Sequence, residues 1–279
     1  MNVGHKVKEQ AKSAAHEVAP WIERLARFGY VCKGVIYGTV GVLALRAAFD
    51  AGRVTDQRGA LARLGDAPFG QFLLVVLGLG LIGYALWQLV RAVLDPEHQG
   101  HGAKGIVKRI GFFLSAIAYV SLALYAMGRA GIGASRSGGG SQDEWTAQLM
   151  ARPFGEWLVA LIGLGVLAVA GNQLYVAYKA LFMKRIDVTG LDPKLQDGIR
   201  KAGRVGIAAR GTVFGLLGVF LIQAAWTNDP SKAGGLADAL RELERAPVGP
   251  WLLVVVALGV IAYGAYAVAQ GRYRRIRVA

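Results

Sequence analysis

The chain has 279 residues, 54% of them hydrophobic and only 18% charged, with a mean hydropathy of +0.40 and a net charge of +14. A soluble chain carries about 25% charged residues, so an ordinary soluble domain is excluded. Cys32 is the only cysteine, which excludes an intrachain disulfide and a cysteine-built metal site.

In chain order, the first segment, residues 1–24, carries Lys6, Lys8, Glu9, Lys12 and Glu17 and has no apolar core. It does not read as a cleavable signal peptide; an amphipathic helix on the cytoplasmic membrane surface fits it. Six stretches then meet the rule of roughly 18 or more nearly uncharged residues per membrane span. They cover 28–49, 69–90, 110–128, 154–178, 205–226 and 251–270. The N-terminal tail, the loops at 91–109 and 179–204 and the C-terminal tail hold 20 Lys+Arg against 8 Asp+Glu, whereas the other three loops, counted with Arg46 and Glu156 at the span ends beside them, hold 10 against 10. By the positive-inside rule, both termini are cytoplasmic, in a multi-pass membrane protein. The basic excess is thereby a topology signal and an attraction to anionic lipid headgroups, not a nucleic-acid footprint.

The sequence repeats itself three times, over 25–97, 106–187 and 199–276. Each copy opens on Arg-x-Gly: Arg27 to Gly29, Arg109 to Gly111, Arg204 to Gly206. The first span of copies one and three carries Gly34, Gly38, Gly41 and Gly211, Gly215, Gly218; copy two has Ala116, Val120 and Ala123 there. Positions i, i+4 and i+7 share one helix face, a GxxxG-type surface for close helix packing. A short amphipathic segment and a Pro-x-Gly follow in each copy, at Pro68, Pro153 and Pro247, with an aromatic four residues on: Phe72, Trp157, Trp251. Pro suits a helix start and aromatics suit the headgroup level, so this marks entry into the second span. The second spans share a small-residue pattern around Gly80, Gly165 and Gly259. Its GxGxxG form is not a dinucleotide fingerprint, which needs a preceding strand; helix packing explains it. The expected fold is all-α: six transmembrane helices from three parallel two-helix repeats, with pseudo-threefold symmetry about the membrane normal.

These motifs, with the Gly-Leu-x-x-Tyr-Ala-Leu-Trp stretch at Gly80 to Trp87, resemble the bacterial membrane-protein family catalogued as domain of unknown function family 1206. The resemblance covers residues 25 to 276. Copy two departs most, reading Val169-Ala-Gly-Asn172 where copy one has Tyr84-Ala-Leu-Trp87. It implies three tandem two-span domains in a bacterial plasma membrane and no particular activity.

Chemistry is sparse. Asp95, Glu97, His98 and His101 offer a metal too few ligands in one loop, so no metal site is assigned, and no cofactor. The Gly- and Ser-rich run 131–141 lacks the Lys-Ser/Thr ending of a phosphate loop and reads as a linker. No acidic residue lies mid-span and no catalytic set can be assembled there, so no enzyme is expected. Gln88, Asn172, Gln173 and Gln223 are amides within spans; Asn172 and Gln173 either bind something polar or join neighbouring helices. Lys33 and Arg210 are cations inside spans that share a repeat position, with Ser115 in copy two. Either they form an anion-attracting mouth, or they snorkel to lipid phosphates. Lys33 lies roughly 100° from the mean direction of Gly34, Gly38 and Gly41, which favours snorkelling, with Tyr37 and Phe214 one turn on. The function expected first is a non-enzymatic scaffold or partner- and lipid-binding protein, with a homo-oligomer or another membrane protein as partner. The alternative is a channel or transporter for a small solute or ion.

Overall fold

A computed structural model describes residues 3–49, 54–97, 100, 102–132, 142–233, 235–245 and 249–276. Among them are α1 (Val3–Ala47), α2 (Gln57–Gly65), α3 (Gly70–Val93), α4 (Ala103–Arg129), α5 (Gln142–Met150), α6 (Gly155–Tyr178), α7 (Pro193–Thr227), α8 (Leu236–Arg245) and α9 (Gly249–Tyr273), and no β-strand. Six of these helices are long and apolar enough to cross a membrane: α1 from Pro20, α3, α4 from Gly105, α6, α7 and α9. The protein is all-α, with six transmembrane helices.

Two helices begin earlier than their apolar runs. α1 continues from Val3 through Pro20, so the N-terminal segment is helix joined to the first span. α7 starts at Pro193, inside what the sequence presents as a loop. Asp192 caps it, its side chain accepting from the Lys194 backbone N–H at 2.7 Å, and Pro sits where a missing N–H costs nothing.

The short helices α2, α5 and α8 each bury the residue at one shared repeat position. Leu61, Thr146 and Leu240, each seven residues before the Pro of Pro-x-Gly, are all buried. Pro-Phe-Gly then makes the same strained turn twice. Phe69 and Phe154 both hold φ 61 and both side chains are exposed. A left-handed conformation costs a residue with a Cβ on the order of 1–2 kcal/mol. Its recurrence marks a built feature that turns an aromatic outward at the mouth of a span. Gly must follow, because a Cβ at Gly155 would collide with the Leu149 carbonyl. Pro247 and Val248 of the third motif lie outside the described residues.

The chain divides into two compact units that cut across the repeats. Met1–Lys33, Gly65–Ser135 and Ala267–Ala279 form the first; Gly34–Leu64 and Arg136–Tyr266 form the second. In the first unit α3 lies between α1 and α4. A Cβ at Gly29 would stand 2.5 Å from the Tyr84 nitrogen, one at Gly80 would strike the Cys32 sulfur, and Gly78 faces Met127 of α4. Gly271 of α9 rests on Arg27 and Val31. Ala26, Tyr30, Tyr84, Trp87 and Ile276 make the core.

The second unit repeats this packing in its own elements. Gly206 is pressed against Tyr263 and Gly259 against Ala209, as Gly29 is on Tyr84 and Gly80 on Cys32. Gly163 and Gly218 meet across α6 and α7, and Gly211 faces Leu174 and Gln173. Gly41 lies on the Ile261 backbone, and Gly264 on the backbone of Gly34 and Gly38. At two of these glycines the Cβ position itself is open: nothing lies within 4 Å of a Cβ built at Gly38 or at Gly165, although the Gly38 backbone carries Gly264. Gly215 reaches only Ala170, at 4.0 Å. Gly34 and Gly38 give α9 their backbone, so the crowded Cβ position there is that of Gly264.

Candidate functional site

The Arg-x-Gly openings have one job in all three copies. Arg109 donates to the carbonyls of Ala92 and Val93 at 2.7 and 2.9 Å, at the end of α3. Arg204 donates to the Tyr178 carbonyl at 3.3 Å, at the end of α6. Arg27 donates to the carbonyls of Gly271 and Arg272 at 3.3 and 2.7 Å, at the end of α9. The last carbonyls of a helix lack partners within it and carry its negative dipole end. A guanidinium supplies both donors and opposite charge. Each arginine thus ties the second span of one repeat to the first span of another: one to two, two to three, three to one.

One turn beyond each tight glycine of copies one and three stands a cation. Gly29 and Lys33 share a face of α1, and Gly206 and Arg210 share a face of α7. In the first unit Lys33 is 4% exposed. Its Nζ donates to the Tyr84 hydroxyl at 2.9 Å and lies 4.6 Å from the Tyr84 ring centroid and 5.5 Å from that of Tyr119. Tyr84 and Tyr119 meet edge to face at 4.6 Å. Snorkelling to lipid phosphate is therefore not what Lys33 does: it points to the face that carries Gly29, and the rings and hydroxyl of that face hold the ammonium.

In the second unit Arg210 is half-buried. Its Nη1 donates to the Tyr263 hydroxyl at 3.2 Å and to Gln173 Oε1 at 3.3 Å. Its guanidinium lies 4.8 Å from the Phe214 ring centroid and 5.2 Å from that of Tyr263. Tyr263 in turn meets Tyr37 edge to face at 4.8 Å, matching the Tyr84–Tyr119 pair. Tyr84 and Tyr263 hold the same repeat position, sixteen residues after Pro68 and Pro247. Tyr37 and Tyr119 also match, ten residues after Arg27 and Arg109. The same rule names a third set, Ser115, Val169 and Phe214, in which the cation and both hydroxyls are absent.

A second charged cluster lies at the ends of α3 and α9 in the first unit. Arg91 donates to Gln88 Oε1 at 2.7 Å and pairs with Glu97 at 2.8 Å; Arg274 pairs with the other Glu97 oxygen at 2.7 Å. The two arginine side chains are 5% and 4% exposed, and Glu97 20%. Phe112 lies 3.6 Å from the Arg91 guanidinium and Tyr30 5.1 Å from that of Arg274. Glu97 is thus spent on two arginines. His98 and His101 lie outside the described residues, and no group of three metal-ligating side chains occurs among the described ones.

Comparison with known proteins fits three copies of one unit. The family model described as Domain of Unknown Function (DUF1206) matches residues 28–95, 110–180 and 205–274. The chain belongs to this family. It is 39% identical over 271 residues to the Bacillus subtilis (strain 168) protein called Uncharacterized protein YxxB, covering 97% of this chain and 95% of that one. No solved structure matches.

Within this DUF1206 chain the sequence led to Lys33, Arg210 and Gln173, but not to Tyr84, Tyr119 and Tyr263, which surround them. Their signal was present: a tyrosine at a fixed distance from Pro-x-Gly in the two copies that keep the cation. The Arg91–Glu97–Arg274 cluster left no such mark, because its members come from one repeat end, one loop and the C-terminal tail. Asn172 is exposed, and Gln173 joins α6 to α7.

Proposed function

We propose that the chain is a non-enzymatic membrane scaffold that binds partners and anionic lipid in a bacterial plasma membrane, with both termini cytoplasmic. The observation that carries this reading is the set of three arginine caps. They spend the cations at the repeat openings on joining one span to another, which suits a protein that presents a fixed surface. The basic loops, with 20 Lys+Arg against 8 Asp+Glu, supply attraction to anionic headgroups. The order of the caps, from each repeat to the next and from the third to the first, supports pseudo-threefold repeats about the membrane normal. A second copy or another membrane protein is the partner the scaffold holds.

A second reading, a channel or transporter, is favoured by one observation. Lys33 is a buried cation inside a span, and such residues commonly line ion pathways. Flux separates the two. Protein reconstituted in vesicles of phosphatidylcholine, with and without phosphatidylglycerol, should pass chloride, potassium and protons no faster than empty vesicles, and phosphatidylglycerol should raise its melting temperature. Flux that vanishes in Lys33→Gln would replace the scaffold by the channel. Alkaline phosphatase fused after Ala279 should be inactive if the C-terminus is cytoplasmic.

A further inference from the structure

We infer that the Pro-Phe-Gly turns are lipid anchors: Phe69 and Phe154 seat their rings in the headgroup–acyl boundary of the leaflet where α3 and α6 begin. Ala67 to Gly70 form a four-residue turn in which the Gly70 N–H donates to the Ala67 carbonyl at 2.8 Å. Arg152 to Gly155 repeat it, the Gly155 N–H donating to the Arg152 carbonyl at 2.9 Å. Pro holds the second position of each turn and Phe the third, at φ 61 in both. A type II turn has this arrangement, and its third position takes Gly or Asn, because the left-handed region strains other residues. Each Phe then opens the span that follows, its carbonyl accepting from the Leu73 or the Leu158 N–H at 3.1 Å. The turn thus uses the backbone of this position and has no use for a ring. The rings meet little of the protein: Phe69 is 89% exposed and Phe154 81%. Strain held twice under an exposed side chain is offset by something outside the chain.

The spans indicate what lies outside. On α6, exposed Trp157 and exposed Tyr178 stand 21 residues apart, a rise of about 32 Å. The hydrocarbon core of a bilayer is about 30 Å thick, and aromatics of this kind mark its two edges. Phe154, three residues before Trp157, then stands at headgroup level, with acyl chains within reach of its ring. α3 starts in the same way: Phe72, three residues after Phe69, is exposed and begins an apolar run. An apolar ring at that depth leaves water for lipid, as the apolar faces of interfacial helices do. The repetition favours lipid over a protein as the occupant. The bilayer surrounds every span, whereas a protein would have to read the same turn in two different units. The anchor is distinct from the attraction of the basic loops for anionic headgroups, and it holds for a scaffold and for a channel alike.

The test uses the full chain in phosphatidylcholine nanodiscs, one chain per disc, so that neither anionic lipid nor a second copy contributes. Asparagine takes the left-handed conformation with little strain, so Phe69→Asn with Phe154→Asn keeps the turns and removes the rings. By calorimetry this double variant should melt about 2–4 °C below the wild type in nanodiscs, the shift of a modest contact in a chain of this size. In an amphipol, which wraps the spans without a lipid interface, it should melt at or above the wild type, because the strain is relieved. Phe69→Trp with Phe154→Trp, which keeps an interfacial ring, should melt with the wild type in nanodiscs. Depth gives a second readout, and it decides alone should the double variant fail to fold. Cys32 is buried, so a spin label on Phe69→Cys goes to the new thiol, where it should collide more with oxygen than with a water-soluble nickel chelate. The proposal is overturned if the double asparagine variant melts as high as the wild type in nanodiscs, or if the label meets the chelate as freely as it would in water. An equal loss in nanodiscs and amphipol would show the rings packing on the protein and would overturn it too. So would a loss seen only in vesicles where chains can meet, which would assign the rings to a second copy.

Discussion

The two units hold their buried cations differently. The first buries Lys33, Arg91 and Arg274 almost completely and brings in Glu97, whose two oxygens meet two arginines. The second keeps Arg210 half-buried and gives it an amide, a phenol and aromatic faces. Yet the tyrosine beside each first-span cation is the same residue of the repeat, and the edge-to-face tyrosine pair is the same to within 0.2 Å. The difference shows that the repeat specifies a cation–tyrosine contact, while counter-charge is added locally by whatever sequence happens to flank it. Copy two sharpens the point. It lost the cation at Ser115 and the tyrosine at Val169, and its partner position in copy three is Phe214 rather than tyrosine. A hydroxyl in hydrocarbon is worth keeping only where it has a charge to serve.

The largest effect should come from Glu97→Gln. Two arginines, each at least 95% buried, would lose their shared carboxylate. Removing one partner of a buried ion pair costs roughly 3–5 kcal/mol; the partial exposure of Glu97 places the expected loss near about 3 kcal/mol, measured by unfolding in mixed micelles. The same unfolding midpoint in the variant and the parent would show that the cluster is solvated, and the contrast between the units would disappear.

Next in size are the tyrosines. Tyr84→Phe removes the hydroxyl that accepts from a fully buried ammonium, and a hydrogen bond to a charged group is worth about 1.5–3 kcal/mol. Tyr263→Phe should cost about half as much, because Arg210 is more exposed and keeps Gln173. Equal losses would mean that burial does not set the difference. Smaller again are the caps: Arg109→Ala should cost about 1 kcal/mol, seen as faster hydrogen exchange at the end of α3. Arg204→Ala, which gives up one longer bond of 3.3 Å, should cost less.

Much of this was legible in the chain. Six apolar runs, three Arg-x-Gly openings and the Pro-Phe-Gly entries of copies one and two correspond to six membrane-length helices, three caps and two strained turns. The direction of Lys33 was not. A helical wheel centred on Gly34, Gly38 and Gly41 gives α1 one packing face and leaves Lys33 to lipid. α1 has two faces in use: Gly34 and Gly38 meet Gly264, whereas Gly29 and Lys33, one turn apart, meet Tyr84. The glycine of Arg-x-Gly marks the second face, and it carries the cation with it. The Glu97 cluster was illegible for another reason: a loop acid and two distant arginines have no shared period, and only tertiary packing brings them together.

The smallest effect concerns Gly38, and there the structure changes the sign of an expectation. Read as a packing glycine, Gly38 should resist any larger residue. A Cβ at Gly38 instead meets nothing within 4 Å, while one at Gly264 would lie 2.7 Å from the Gly34 oxygen and 2.8 Å from the Gly38 nitrogen. Backbone atoms cannot rotate away as a side-chain tip can, so the helices would have to separate. Gly264→Ala should therefore destabilise by about 1–3 kcal/mol, the usual range for overpacking. Gly38→Ala should be neutral or gain up to about 0.5 kcal/mol, since alanine is the better helix former. Paired unfolding curves decide it. If Gly38→Ala loses as much as Gly264→Ala, the face that carries Gly38 is packed in the membrane, and α1 meets a further surface there.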